Sequence, residues 1–275
     1  MERHAAPPRV ALTIAGFDPS SGAVVTADLQ VFAAHGIYGV SAITALTVQS
    51  TLGVATLASV SADLLRKTLK TLHDDLPAQG VKIGMLGSAA AASEVVFFLQ
   101  FKDQVISSNS LIPSVLDPVL TSSSGAILLE PEGLEVLLSR LLPAVGWVTP
   151  NWAELAVLSG LAVGSVEQAE AAMHQLGKSC VQLSIVATGG DQARPVDLLR
   201  LPGGEIVRFE DEHIETTSTH GSGCAFSSAL LCRLMLGDGP VAAVQSAKDY
   251  VAEALRRAPG LGHGRGPLDL LWPLR

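Results

Sequence analysis

A three-layer α/β/α sandwich around a mostly parallel central sheet is the fold class this sequence predicts. Three observations carry that reading. Short apolar, β-branched runs alternate with stretches of helical spacing along the whole chain. The runs are apolar nearly throughout, as strands covered on both faces must be. Small polar and glycine-rich segments follow the strands, where open α/β sheets place their ligands.

Arg9 to Ala15 (RVALTIA) reads as the first buried strand, ending at Gly16. Phe17 to Gly22 (FDPSSG) is turn chemistry. Ala23 to His35 has helical spacing, with Val25, Leu29 and Phe32 on one side. Tyr38 to Val48 and Val54 to Val60 are β-rich strands. Ser61 is an N-cap candidate for a helix through His73, with Leu64, Leu65, Thr68, Leu69 and Leu72 facing inward. The alternation then repeats: strand Val81 to Met85, helix Ala89 to Phe101, strand Ser114 to Asp117, helix Glu132 to Leu142, strand Trp147 to Thr149 and a helix from Trp152. A helix over Gln168 to Leu176 leads to a strand over Val181 to Ala187. Val196 to Leu201 and Glu205 to Phe209 form a hairpin around Pro202-Gly203-Gly204. Two helices, Gly221 to Leu236 and Pro240 to Ala258, close the chain. With no linker, low-complexity tract or repeat, residues 1–275 are one domain, with residues 1–8 expected to be flexible.

Charge narrows the partners. The 275 residues carry 18 Lys and Arg against 26 Asp and Glu, a formal charge of −8. This balance argues against nucleic acid and against an anionic membrane surface. Leu29 to Ala62 contains no Asp, Glu, Lys or Arg. Its glycines, Gln30, Gln49 and His35 and its many Ser and Thr favour buried strands and a helix over a membrane span. Met1 to Pro8 lacks the apolar core of a secretory signal. Cys180, Cys224 and Cys232 have no metal-ligand spacing and suit a reducing, cytoplasmic compartment.

Four segments following strands carry candidate chemistry. In Thr219-His220-Gly221-Ser222-Gly223-Cys224, two glycines open a helix, so its free N–H groups and dipole can receive an anion. Cys224 in that first turn is expected to have a lowered pKa and to act as base or nucleophile. In Thr149-Pro150-Asn151-Trp152-Ala153-Glu154, Asn151 caps a helix; Glu154 has capping-box spacing and is also a carboxylate for Mg²⁺. Leu116-Asp117-Pro118 delivers a second acid at a strand end, before a small-residue flap, Thr121 to Ala126. Thr188-Gly189-Gly190 allows close approach to a nucleotide. Gly16 to Asp28 places Asp18 and Asp28 around a turn, and Gln49 and Met85 end strands where a heterocycle could be bound. There is no GxxxxGK[ST], no G-x-G-x-x-G after the first strand and no GxSxG.

Together these segments resemble the ribokinase-like superfamily, and within it the hydroxymethylpyrimidine/phosphomethylpyrimidine kinases of thiamine biosynthesis. The pieces are Leu12 to Gly16, Asp18-Pro19-Ser20, Ala27-Asp28-Leu29, Tyr38 to Leu46, Lys82 to Leu86, Asp117-Pro118-Val119, Thr149-Pro150-Asn151 with Glu154, Thr219 to Cys224 and Gly262 to Leu268. The resemblance implies transfer of the γ-phosphoryl of ATP to a pyrimidine hydroxymethyl group and then to the monophosphate. It implies an anion hole at Gly221, Ser222 and Gly223 with Cys224 catalytic, and substrate contacts from Gly16, Asp28, Gln49 and Met85. Asn151, Thr188, Gly190 and Thr219 would line the nucleotide, and Asp117 and Glu154 would support Mg²⁺. A homodimer is a further carry-over. Val24 stands where the family usually has Gly, and the lysines usual in the flap and before Gly189-Gly190 are absent. A pyridoxal-type kinase, or a pyrimidine-binding protein weakened in catalysis, are the alternatives.

Overall fold

The structure, a computed structural model, describes residues 7–105, 112–122, 125–189, 195–210 and 212–275, with the side chains of 102–105 excepted. The expectation for residues 1–8 falls mostly outside them.

Nine strands form one sheet in the order β3-β2-β1-β4-β5-β6-β7-β8-β9. They are β1 (Val10–Phe17), β2 (Tyr38–Ser50), β3 (Gly53–Ser59), β4 (Gly80–Ile83), β5 (Ser114–Leu116), β6 (Trp147–Val148), β7 (Ser184–Ala187), β8 (Val196–Arg200) and β9 (Ile206–Glu210). β2, β1, β4, β5, β6 and β7 run parallel, and antiparallel strands finish both edges. One face is covered by α2 (Ala62–Asp75), α3 (Ala89–Val105), α4 (Pro131–Val136), α5 (Trp152–Ser159) and α6 (Val166–Ser179). The other carries α1 (Val24–Ala34), α7 (Ser222–Leu236) and α8 (Pro240–Arg256). Strand side chains alternate between the two cores: Leu12 and Ile14 enter the first, Ala11 the second.

Three details depart from expectation. The uncharged segment is not uniformly buried: Leu46, Val48 and Leu52 are exposed where β2 and β3 extend past the parallel sheet. Leu64, in the first turn of α2, is exposed, while Leu65 and Leu69 on the neighbouring stripe enter the core. The helix from Pro131 passes into a π turn over Leu137–Leu141 and then a 3₁₀ turn carrying Pro143, whose missing N–H ends regular helix. Among the described residues no helix is long and apolar enough to cross a membrane, and all three cysteines are free.

Candidate active site

The candidate residues gather beyond the carboxyl ends of the parallel strands. β1 delivers Asp18, and the loop after it winds around that carboxylate. Oδ1 accepts from Ser20 N–H and Oγ at 2.8 and 2.7 Å, and Oδ2 from the N–H groups of Gly22 and Ala23 at 3.2 and 3.1 Å. His220 Nε2 lies 2.8 Å from Oδ2 and 3.0 Å from the Gln49 amide nitrogen. Burial pushes the Asp18 carboxyl up, but the hydrogen bonds from His220 and Ser20 outweigh it and hold the group below the usual carboxylate range. The two loops touch as backbones. A Cβ on Gly221 (φ +83°) would sit 1.9 Å from Gly22 O, and one on Gly22 would sit 2.4 Å from the His220 ring. Glycine is required at both by close approach.

The same contact sets the start of α7. Gly221 is its N-cap and offers no side-chain acceptor. Ala225 N–H donates to Gly221 O at 2.8 Å, the first turn of the helical ladder. The N–H groups of Gly223 and Cys224, in that first turn, have no acceptor within the helix. Gly223 is exposed with open space around it.

Beneath this turn lies a buried charge cluster that sequence reasoning missed. Lys82 and Thr13 are register partners on β4 and β1 and face the α1–α7 side. Asp28 on α1 accepts from Thr13 Oγ1 at 2.5 Å, from Lys82 Nζ at 3.1 Å and from Ser228 Oγ at 2.8 Å. Asp117 Oδ2 stands 3.7 Å from Lys82 Nζ and accepts from Ser227 at 3.3 Å. Burial favours a neutral Lys82, yet the charge and hydrogen bond of Asp28, with the charge of Asp117, hold its pKa above the usual lysine value. The structure therefore places Asp28 under the site, fully buried and saturated by internal donors, not in the substrate cleft. The sequence signal for Lys82 is a lysine between Val81 and Ile83 in an otherwise apolar strand.

The expectation for the Cys224 thiol is overturned in direction. Burial raises its pKa, and although Lys82 and the Val24 N–H act to lower it, Asp117 and Asp28 add to the rise. The free protein thus holds a neutral thiol against Asp117. Val24, the first residue of α1, has φ +48°, a conformation with a steric cost for a β-branched residue. Its side chain packs with Ala15, Met85 and Cys224. Met85 is buried and lies on Gly16, where a Cβ would be 2.0 Å from its Cε.

Asn151 and Glu154 make a complete capping box. Asn151 Oδ1 accepts from Glu154 N–H at 2.9 Å, and Glu154 Oε2 from Asn151 N–H at 3.0 Å. Oε1 accepts from Leu120 N–H at 3.4 Å, tying α5 to the segment after β5. Burial, and then the charge of Asp117, push the Glu154 carboxyl up to about 8. Thr188 pairs with Asn151 as an isolated parallel bridge and its N–H donates to Pro150 O at 2.9 Å. Thr219 is half-buried ahead of α7, where its carbonyl accepts weakly from Ser222 N–H at 3.4 Å. Gly190, and residues 123–124 of the flap, lie outside the described residues. The C-terminal tail reaches the site through its backbone, Gly266 O accepting from His220 N–H and Gly264 packing on Thr51, and Arg265 between them is exposed.

Among the described residues no three His, Cys, Asp or Glu gather to cage a metal. Asp117 and Glu154 nonetheless fit Mg²⁺. They are hard oxygen donors whose mutual repulsion a cation would relieve, and Mg²⁺ commonly takes one or two carboxylates together with waters and substrate phosphates.

The sequence and the fold have known relatives. A hydroxymethylpyrimidine/phosphomethylpyrimidine kinase of Synechococcus elongatus is 35% identical over 268 residues, covering 96% of this chain and 98% of that one. One of Aquifex aeolicus is 36% identical, covering 94% and 99%. The crystal structure of phosphomethylpyrimidine kinase from Clostridium difficile superposes with a TM-score of 0.74 at 33% identity, covering 90% and 99%. Pyridoxal kinase from Staphylococcus aureus in complex with ADP superposes at 0.85 with 29% identity, covering 97% and 94%. The family model for phosphomethylpyrimidine kinase matches residues 18–269, from the carboxylate that organises the first loop to the last buried acid, and the chain belongs to that family.

Proposed function

We propose that this chain transfers the γ-phosphoryl of ATP to the hydroxymethyl group of 4-amino-5-hydroxymethyl-2-methylpyrimidine and then to the resulting monophosphate, as in thiamine biosynthesis. One observation carries the reading: the family match spans residues 18–269 and thus all of the candidate site except Gly16. In each transfer a bond forms between the acceptor oxygen and the γ-phosphorus. The bond from that phosphorus to the bridging oxygen breaks, and ADP leaves.

This chemistry asks for positioning and charge stabilisation more than for covalent work. The first-turn N–H groups of α7 donate to the phosphoryl oxygens, and the helix dipole adds positive potential there. Asn151, Thr188, Gly190 and Thr219 line the nucleotide. Gln49, held by Thr47 and His220, presents its amide to the pyrimidine, and Met85 shifts off Gly16 to pack on the ring. The Asp18–His220 contact locks the two glycine loops together and so fixes the acceptor oxygen against the start of α7. Cys224 is the group next to the anion hole that can take the alcohol proton; Lys82 and the helix start favour its thiolate as the acceptor binds. Asp117 and Glu154 would hold Mg²⁺ through water, and the ion would neutralise phosphate charge. Three free thiols suit a reducing, cytoplasmic setting.

The higher TM-score to pyridoxal kinase keeps a hydroxymethyl pyridine as the second reading. A substrate panel with ATP and Mg²⁺, comparing the pyrimidine, its monophosphate and pyridoxal, tests both.

A further inference from the structure

A buried ion pair outside the cluster around Lys82 ends on the segment that follows β7. Asp197 lies on β8 and Lys248 on α8, and both are buried. Strand alternation brings them together. Asp197 shares a face of β8 with Leu199, which enters the core beneath α7 and α8. Lys248 follows Ala247, a core residue of α8, and its Nζ donates to Asp197 Oδ2 at 2.5 Å.

The other carboxylate oxygen reaches the backbone: Asp197 Oδ1 accepts from Gly189 N–H at 2.7 Å. The end of β7 shows why a side chain is used there. Ala187, its last residue, stands opposite Leu198 of β8. Thr188 then turns to the other neighbour, where it bridges with Asn151 and its N–H donates to Pro150 O at 2.9 Å. The next N–H, that of Gly189, faces back to β8 and meets the carboxylate. A Cβ on Gly189 would stand 2.4 Å from Val196 O, so the segment lies directly on β8. A charged acceptor holds an amide more firmly than a neutral one. A lone buried carboxylate would be unfavourable, and it would oppose the phosphates of a nucleotide. Lys248 answers both problems, and the pair adds a fixed acceptor without net charge.

We propose that the Asp197–Lys248 pair is a positioning element for the nucleotide. It fixes the Gly189 amide, and with it the course of the chain beside Thr188 and Asn151. The pair acts through the backbone and not on substrate. This inference rests on the assignment of Thr188 and Asn151 to the nucleotide made above.

Calorimetry on the full chain tests it without requiring turnover, with AMP-PCP and Mg²⁺ as one probe and 4-amino-5-hydroxymethyl-2-methylpyrimidine as the other. Asp197→Leu with Lys248→Met replaces the pair by apolar groups and takes the acceptor from Gly189 N–H. It should weaken AMP-PCP binding about tenfold while pyrimidine affinity stays within about twofold of wild type. In turnover it should raise KM for ATP and leave kcat nearly unchanged. Asp197→Asn with Lys248→Met removes the same charges but keeps an oxygen for Gly189, and should restore AMP-PCP affinity to within about threefold of wild type. If the leucine variant does not fold, Asp197→Ser with Lys248→Met, whose hydroxyl is too short to reach Gly189, makes the same comparison. Equal AMP-PCP affinity in the two double variants overturns the proposal. So does an equal loss of pyrimidine affinity, the mark of a pair that only supports the fold. A wild-type chain that binds no AMP-PCP overturns the nucleotide assignment itself, and this proposal with it.

Discussion

Cys224 and Val24 face each other across the start of α7, and each carries a prediction. Cys224 is held as a buried neutral thiol between Lys82 and Asp117. If it receives the acceptor's proton, Cys224→Ala should lower kcat by at least about 100-fold, the lower range for a general base. Circular dichroism and the unfolding midpoint should stay near wild type. Near-normal kcat removes Cys224 from the chemistry. Val24 trades burial against a left-handed backbone. Glycine has no penalty there, whereas alanine keeps the strain and loses the packing. Val24→Gly should therefore be more stable than Val24→Ala by about 1 kcal/mol, reversing the usual helix preference. Urea midpoints decide it, and the ordinary order, alanine above glycine, would show that the backbone here is unstrained. At this scale sequence reading was strongest where backbone chemistry decides, as at Gly221. It was weakest where a side chain's direction decides. The resemblance implies a substrate contact for Asp28, but its position on α1 aims it at Lys82 and Ser228. Contacts of Asp28 with Thr13, Lys82 and Ser228 make that cluster, and no spacing encodes them.

The helices and strands were legible because hydrophobic period and cap chemistry are local. Ser61 caps α2 through Leu64 N–H, and Asn151 with Glu154 makes the box that its three-residue spacing predicts. What spacing did not reveal is that Glu154 also faces Asp117, which lifts its carboxyl to about 8. The native state therefore holds a proton there that the unfolded chain releases near 4.5. The stability contributed by this group is fully present below pH 4.5 and is lost as pH rises through about 8. Glu154→Gln, which keeps an acceptor for Asn151 N–H, should flatten the fall in urea midpoint between pH 4.5 and 8.5. An unchanged slope would place that titration elsewhere. The β2–β3 hairpin is the element least legible in kind. Its lack of charge suggested burial, but half of β2 and all of β3 lie beyond the helices that cover the rest of the sheet, leaving Leu46, Val48 and Leu52 exposed.

The whole molecule carries a charge of −8, a shortage of cations for a chain that handles phosphate. The fold answers part of that deficit. Lys82 supplies a buried positive charge below the start of α7, and the first turn of that helix supplies backbone donors. Parallel strand order brings these together from positions 202 residues apart, as in the contact of Asp18 with His220, and no sequence period encodes such a distance. The central claim is that this assembly moves a phosphoryl group onto a pyrimidine alcohol. Its most direct test is product formation by purified protein given ATP, Mg²⁺ and 4-amino-5-hydroxymethyl-2-methylpyrimidine, with pyridoxal in parallel. The account predicts the pyrimidine monophosphate and then the diphosphate, at a kcat/KM above that for pyridoxal. Folded protein that forms no phosphorylated pyrimidine at saturating substrate, or that phosphorylates pyridoxal alone, would contradict it.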